Sequence, residues 1–220
     1  MIKACIFDMD GTVLDTIGTI SYYVNITLDE FGIKRISEDE CKIFVGNGAR
    51  VLIERTLSSR GINDEKLTEA VLSRYNEAYG KDSNYKTAPY DGVLELFSAL
   101  KERGILVGIV SNKPDFLTRP LSERFFGDLV TKAVGAKEGV KLKPAPDAVL
   151  ALMKDFGVTR DECIYVGDTG TDMQTGKNAG VKLTVGVLWG FRGKNELIEN
   201  GADVTINNPL QILDEVIKFA

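Results

Sequence analysis

The stretch CIFDMDGT at residues 5–12 decides how the rest of this 220-residue chain is interpreted. An apolar run ends in Asp8, Asp10 follows two places later, and a glycine and a threonine close the turn. Alternate residues of a strand point to the same side, so both carboxylates should project together as the chain leaves the strand. Two like charges this close repel each other unless a cation lies between them. The stretch therefore predicts a metal site or an acid–base site.

The composition is typical of a globular protein and removes several classes of enzyme. With 44% hydrophobic and 27% charged residues, the chain can form one large domain or a domain with an insertion. The net charge of -5 argues against nucleic acid as a partner. The absence of histidine excludes Ser-His-Asp triads, histidine phosphatases and His-ligated zinc. Catalysis must therefore use carboxylates, lysine, hydroxyls and an oxygen-preferring metal.

Three scattered cysteines, without a CxxC pair, predict buried free thiols in a reducing compartment. None of them has an arginine six places later, so cysteine phosphatase chemistry is excluded. No apolar run approaches the length of a membrane span, and the N-terminus does not resemble a signal peptide. We therefore predict a cytoplasmic protein without a membrane partner, and leave its state open between monomer and homodimer.

Residues 16–80 have the spacing of helices and no convincing strand. Apolar residues recur every three or four places from Ile17 to Phe31, and the segment SEDE at 37–40 is a capping box. The polar segment 81–90 is interpreted as a linker. This pattern predicts a helical insertion.

From residue 93 onward, helical patterns alternate with short apolar strands. The predicted strands cover 105–110, 130–134, 163–166, 183–188 and 204–206; the predicted helices cover 93–100, 115–126, 147–156, 172–179 and 210–219. This alternation predicts an α/β fold with a parallel, Rossmann-like sheet sandwiched by helices. Ligands bind beyond the carboxyl ends of such strands. The polar segments SNK at 111–113, KLKPAP at 141–146 and GDTGTD at 167–172 fall at or near this edge.

These segments resemble the motifs of a known family. DMDGT at 8–12, Ser111 at the end of a strand, Lys143 before a proline, and the spaced pair Asp168 and Asp172 resemble the four motifs of haloacid dehalogenase-type phosphatases. The resemblance covers essentially the whole chain. It implies a core domain of residues 1–15 and 81–220 and a helical cap domain of residues 16–80.

The resemblance implies a role for each motif residue. Asp8 would attack phosphorus and form an aspartyl-phosphate, and Asp10 would move protons to the leaving group and from water. Ser111 would donate a hydrogen bond to a phosphoryl oxygen, and Lys143 would neutralise its charge. Lys141 remains a rival for the role of Lys143.

Magnesium is the cofactor that this resemblance implies. Its ligands would be the Asp8 carboxylate, the Asp10 backbone carbonyl and Asp168, while Asp172 would support them from an outer shell. A calcium-binding EF-hand loop starting at Asp8 is excluded, because Val13 stands where that loop needs glycine.

Substrate contacts are predicted on both parts of the chain. Thr12 and Asn112 would complete the phosphate cradle. In the predicted cap, VGNGARVL at 45–52 resembles phosphoglycolate phosphatases, as does LWGF at 188–191. Asn47 and Arg50 are candidates for contacts with the leaving group. A helix break explains the loop about as well, and an exposed helix arginine is the commoner case for Arg50. A dinucleotide site is not expected, because Val51 stands where its fingerprint needs the last glycine or alanine, and a predicted helix, not a strand, precedes the loop.

The sequence thus predicts a Mg²⁺-dependent phosphatase of a small phosphorylated metabolite, with 2-phosphoglycolate as the first choice. Three alternatives stay open. The same chemistry could act on pyrophosphate, a nucleotide or a sugar phosphate; the scaffold could serve a sugar-phosphate mutase; or the chain could be a non-catalytic binding module.

Overall fold

The computed structural model describes residues 1–219 of the chain. Six parallel strands form the main sheet in the order β5-β4-β1-β6-β7-β8, and β2 and β3 form a two-stranded antiparallel ribbon. The strands are β1 (Ala4–Phe7), β2 (Leu14–Asp15), β3 (Ala88–Pro89), β4 (Leu106–Pro114), β5 (Lys132–Ala136), β6 (Cys163–Gly167), β7 (Leu183–Val187) and β8 (Val204–Ile206). The predicted parallel α/β sheet is confirmed.

Helices cover both faces of this sheet. Those that follow the insertion are α5 (Val93–Glu102), α6 (Asp115–Phe126), α7 (Asp147–Phe156), α8 (Gly170–Ala179), α9 (Lys194–Glu199) and α10 (Gln211–Ile217). All four residues of β1 are buried. Cys5 and Phe7 belong to the apolar cluster on one face, and Ala4 and Ile6 to the cluster on the other, as strand alternation requires. The central strand is therefore fixed from both sides, which positions the residues that follow it.

Along the chain, four helices fall between β2 and β3: α1 (Ile17–Glu30), α2 (Glu38–Phe44), α3 (Ala49–Ser58) and α4 (Glu65–Lys81). They pack around an apolar cluster of their own, to which α6 adds Leu117. The predicted capping box is confirmed, since the Glu40 amide donates to Ser37 Oγ at 3.1 Å and the Ser37 amide donates to Glu40 at 2.8 Å. The separate cluster supports our proposal that 16–80 is a cap domain.

Some elements differ from the sequence prediction. The ribbon of β2 and β3 joins the two connections to the helical insertion, although the sequence predicts a linker at 81–90. Helix α9 was not predicted either. In contrast, α6 continues through Pro120 as predicted.

The three cysteines are buried and free, as predicted. Burial raises the pKa of the Cys41 and Cys163 thiols to about 12, and that of Cys5 further. Within residues 1–219, no helix has both the length and the apolar character that crossing a membrane requires.

Candidate active site

The predicted site residues converge because the strands that carry them are neighbours. Strand β1 pairs with β4 on one side and with β6 on the other. Asp8 follows β1, Ser111 lies in the last half of β4, and Asp168 follows β6. Segments more than fifty residues apart thus meet at one edge of the sheet.

Three buried carboxylates form the centre of this site. One oxygen from each of Asp8, Asp168 and Asp172 lies within 4.8 Å of the other two. Burial, and then the charge of Asp172, raises the pKa of Asp8 to about 7, against the opposing effect of Lys143. Burial also raises the pKa of Asp168 well above its usual range, with Asp172 as the next cause. The site therefore holds more negative charge than its own side chains neutralise.

Lys143 is the cation inside this cluster. Its Nζ lies 2.7 Å from Asp8 Oδ1 and 2.7 Å from Asp172 Oδ1. Burial acts to lower the pKa of Lys143, but Asp172 and Asp8 together raise it well above the usual range. Lys141, the rival at the sequence level, is exposed. Lys143 is therefore the lysine that reaches the proposed nucleophile.

Asp172 and Asp8 differ in the number of hydrogen-bond donors around their carboxylates. Asp172 Oδ1 accepts from Lys143 at 2.7 Å and from the Tyr165 hydroxyl at 3.3 Å. Its Oδ2 accepts from the Thr169 amide at 3.1 Å and hydroxyl at 2.6 Å. In Asp8, buried Oδ1 lies 2.7 Å from the Lys143 ammonium and has no other donor among residues 1–219. Asp172 is therefore saturated by protein donors, whereas Asp8 keeps lone pairs for a cation.

Asp168 is oriented towards the same space by two donors. Thr12 Oγ1 donates to its Oδ1 at 3.0 Å, and the Phe191 amide donates to its Oδ2 at 2.8 Å. Side chains at Gly11 or Gly190 would collide with the Asp168 carboxylate, and Gly11 also has a φ of +81°. The donor set consists of oxygen atoms, which hard divalent cations prefer. The residues present therefore fit a bound metal ion.

The residues predicted for the phosphate cradle are divided between two tasks. Ser111 lines the cavity, and its Oγ accepts from the Lys113 amide at 3.2 Å, which leaves the hydroxyl hydrogen free to donate. The hydroxyl of Thr12 is instead occupied by Asp168. The Asn112 side chain accepts from the Lys143 amide at 2.8 Å and donates to its carbonyl at 3.1 Å. In this structure, the Thr12 and Asn112 side chains position other residues.

Two further residues that the sequence analysis did not assign lie at Asp10. Lys113 Nζ is 3.1 and 3.3 Å from the two Asp10 carboxylate oxygens and 2.6 Å from the Tyr79 hydroxyl. Lys113 lies two places after Ser111, in the segment SNK that the sequence places at the sheet edge, and this position is the signal that could have identified it. Tyr79 lies in α4 at apolar helical spacing, which does not distinguish it from a core residue.

A cavity between the sheet edge and the helical insertion contains this site. The sheet side supplies Asp8, Asp10, Ser111, Lys113 and Lys143. The opposite side is mainly apolar and consists of residues from α1, α3, α4 and the loop before α3: Ile20, Val45, Gly46, Gly48, Ala49, Leu52, Tyr75, Asn76 and Tyr79.

The two predicted leaving-group contacts lie outside this cavity lining. The Asn47 side chain donates to Thr171 Oγ1 at 3.0 Å and so joins the insertion to α8. Arg50 forms ion pairs with Glu54, Glu65 and Glu69 within the insertion. The sequence places both residues near the loop that lines the cavity. It does not show that glutamates pair with Arg50 and keep its side chain out of the cavity lining.

Comparison with known proteins identifies the family. A family model for haloacid dehalogenase-like hydrolases matches residues 5–186. The chain belongs to this family. Phosphoglycolate phosphatase 1 of Pseudomonas aeruginosa is 32% identical over 216 residues, which cover 96% of this chain and 78% of that protein. The crystal structure of a Lactobacillus delbrueckii subsp. bulgaricus protein proposed to be a phosphoglycolate phosphatase superposes with a TM-score of 0.88, at 32% identity and 97% and 98% coverage.

A relative with a different named substrate is almost as similar to this chain. The N-acetylmuramic acid 6-phosphate phosphatase of P. aeruginosa is 29% identical over 217 residues, covering 97% of this chain and 94% of that protein. The family member described here is therefore a phosphatase that resembles phosphoglycolate phosphatases. Both P. aeruginosa relatives are phosphatases by name, but their names give different substrates.

Proposed function

We propose that this chain is a Mg²⁺-dependent phosphatase that hydrolyses 2-phosphoglycolate through an aspartyl-phosphate on Asp8. The observation that carries the proposal is the buried Asp8 carboxylate, whose Oδ1 lies 2.7 Å from the Lys143 ammonium and has no other donor among the described residues. A carboxylate in this state has lone pairs available to attack phosphorus. The buried thiols support the accompanying proposal of a cytoplasmic location.

In the first step, an Asp8 oxygen forms a bond to phosphorus as the bond from phosphorus to the ester oxygen breaks. Asp10 donates a proton to that oxygen, and the alcohol leaves. In the second step, Asp10 takes a proton from water, which attacks phosphorus and releases phosphate and Asp8. Lys143 neutralises charge beside Asp8, and Ser111 donates to a phosphoryl oxygen.

Asp8, Asp168 and the Asp10 carbonyl are the proposed metal ligands, and Asp172 holds Lys143 in place. Mg²⁺ suits a site of few carboxylates that leaves room for water and phosphate oxygens. When bound, it supplies positive charge that lets an anionic nucleophile approach an anionic phosphate.

A panel of phosphate esters tests the substrate. We expect kcat/KM for 2-phosphoglycolate to exceed that for sugar phosphates, nucleotides and pyrophosphate by at least about tenfold, since the cavity wall is mainly apolar and offers few polar partners to a larger leaving group. Phosphate release is the measurement. A sugar phosphate hydrolysed faster would favour a substrate like that named for the second P. aeruginosa relative. Isomer conversion without phosphate release would instead reveal a mutase.

A further inference from the structure

Two of the residues that line the cavity are basic, and each pairs with a different aspartate of the site. Lys143 is engaged by Asp8 and Asp172 at the end where phosphorus is attacked. Lys113 lies at Asp10, and only 3% of its side chain is exposed. A buried ammonium at this second position is not required by the two-step chemistry of Asp8, so it calls for another explanation.

The expected position of the leaving group supplies that explanation. The ester oxygen must come within hydrogen-bonding reach of Asp10, because Asp10 protonates it. In 2-phosphoglycolate a single carbon separates this oxygen from the carboxylate, so the carboxylate must lie beside Asp10. That carboxylate is an anion inside a mainly apolar cavity, and a buried anion is costly unless a cation lies beside it. Lys113 Nζ, 3.1 Å from Asp10 Oδ1, is at the place where that cation is needed.

We propose that Lys113 is the specificity-determining residue, which binds the carboxylate of the leaving group; this inference rests on the proposed function. An ammonium has three N–H donors. The Asp10 carboxylate and the Tyr79 hydroxyl, at 2.6 Å, account for two directions and leave a third donor for the substrate. Tyr79 also fixes the ammonium from the cap side, so the charge is held in position before substrate binds.

The surroundings of Lys113 strengthen its contact with an anion. Ile20, Leu52 and Leu117 line the same cavity, and charge interactions are less screened beside apolar walls than in water. Arg50, the other cation considered for this task, is engaged by three glutamates outside the lining. Lys113 is thus better placed than Arg50 to distinguish an ester that bears a carboxylate from one that does not.

The test compares 2-phosphoglycolate with ethyl phosphate, in which a methyl group replaces the carboxylate. The measured quantity is the ratio of kcat/KM for the two esters. We expect Lys113→Met to lower this ratio about 100-fold, because it removes one charge-assisted contact. Most of the loss should fall on KM for 2-phosphoglycolate, since the contact exists before and during the reaction. Lys113→Arg should restore the ratio to within about tenfold of wild type.

The ratio does not depend on how much of the variant folds, and damage to Asp10 lowers both rates together. Arg50→Met is the matched control, and its ratio should equal that of wild type. If Lys113→Met keeps the wild-type ratio, or if Arg50→Met loses it, the inference is wrong while the proposed function stands. If wild type itself shows no preference for 2-phosphoglycolate over ethyl phosphate, the proposed substrate fails and the inference falls with it.

Discussion

Among single residues, Asp8 combines two requirements that oppose each other. A nucleophile must be ionised and poorly solvated, but burial and the neighbouring charge of Asp172 make ionisation unfavourable even beside Lys143. In the metal-free protein this conflict raises the pKa of Asp8 to about 7. A carboxyl whose pKa is raised on folding costs stability above that pKa, and the cost disappears as the pH falls towards the pKa of the unfolded chain.

Replacing Asp8 by Asn should therefore separate activity from stability. We expect Asp8→Asn to abolish turnover and to raise the free energy of unfolding of the metal-free protein at pH 8 by at most about 4 kcal/mol. At pH 5 the gain should fall to less than half, since folded wild-type Asp8 is then protonated while Asp8 of the unfolded chain is still ionised. Denaturant unfolding with a chelator at both pH values measures this. Wild-type turnover in the variant would refute the nucleophile, and an equal gain at both pH values would refute the charge argument.

Among secondary structure elements, regular periodicity made the sheet and most helices predictable. The apolar run before Asp8 and the capping box at Ser37 each carry a local signal, and both elements appear as predicted. The β2–β3 ribbon has only two residues in each strand, too few to show alternation. Contacts between distant elements, such as Tyr79 with Lys113, have no local signal either.

One such contact joins the helical insertion to the sheet side. Arg192, in the loop between β7 and α9, donates to the backbone carbonyls of Lys42, Ile43 and Val45 at the end of α2; the last two distances are 3.1 Å. The last carbonyls of a helix have no partner within the helix and attract cations. Arg192 therefore holds the helical insertion, our proposed cap, over the site, in which Asp8 is only 7% exposed.

Loss of this contact should make the cap open more often. We expect Arg192→Met to accelerate amide hydrogen exchange in the loop at 45–48 and to lower kcat/KM, because the closed state is less populated. The matched control is Arg55→Met. Arg55 donates to the Phe44 carbonyl at 3.0 Å, but it belongs to α3 and acts within the insertion. Equal effects of the two variants would show that the end of α2, and not cap closure, is responsible.

At the scale of the whole molecule, the site assembles four carboxylates and two ammonium groups from remote parts of the chain. Asp8, Asp10, Asp168 and Asp172 face Lys113 and Lys143. Four negative and two positive formal charges leave a net charge of -2. These residue types can be read from the sequence. How far their charges compensate one another depends on burial and on which carboxylate oxygens already accept hydrogen bonds. A divalent cation would neutralise the remainder.

Metal binding should therefore stabilise the entire fold as well as support turnover. We expect a chelator to abolish activity and lower the melting temperature, and Mg²⁺ to restore both; at a free concentration 100 times Kd the gain is about 2.7 kcal/mol. Sodium at equal ionic strength should not replace it, since the deficit is two charges at one place. In Asp168→Asn, a proposed ligand is neutral, so the melting temperature should respond much less to Mg²⁺. Full activity in the presence of a chelator would contradict the metal assignment, and so would an unchanged effect of Mg²⁺ on the melting temperature of Asp168→Asn. The melting temperature tests metal binding independently of catalysis.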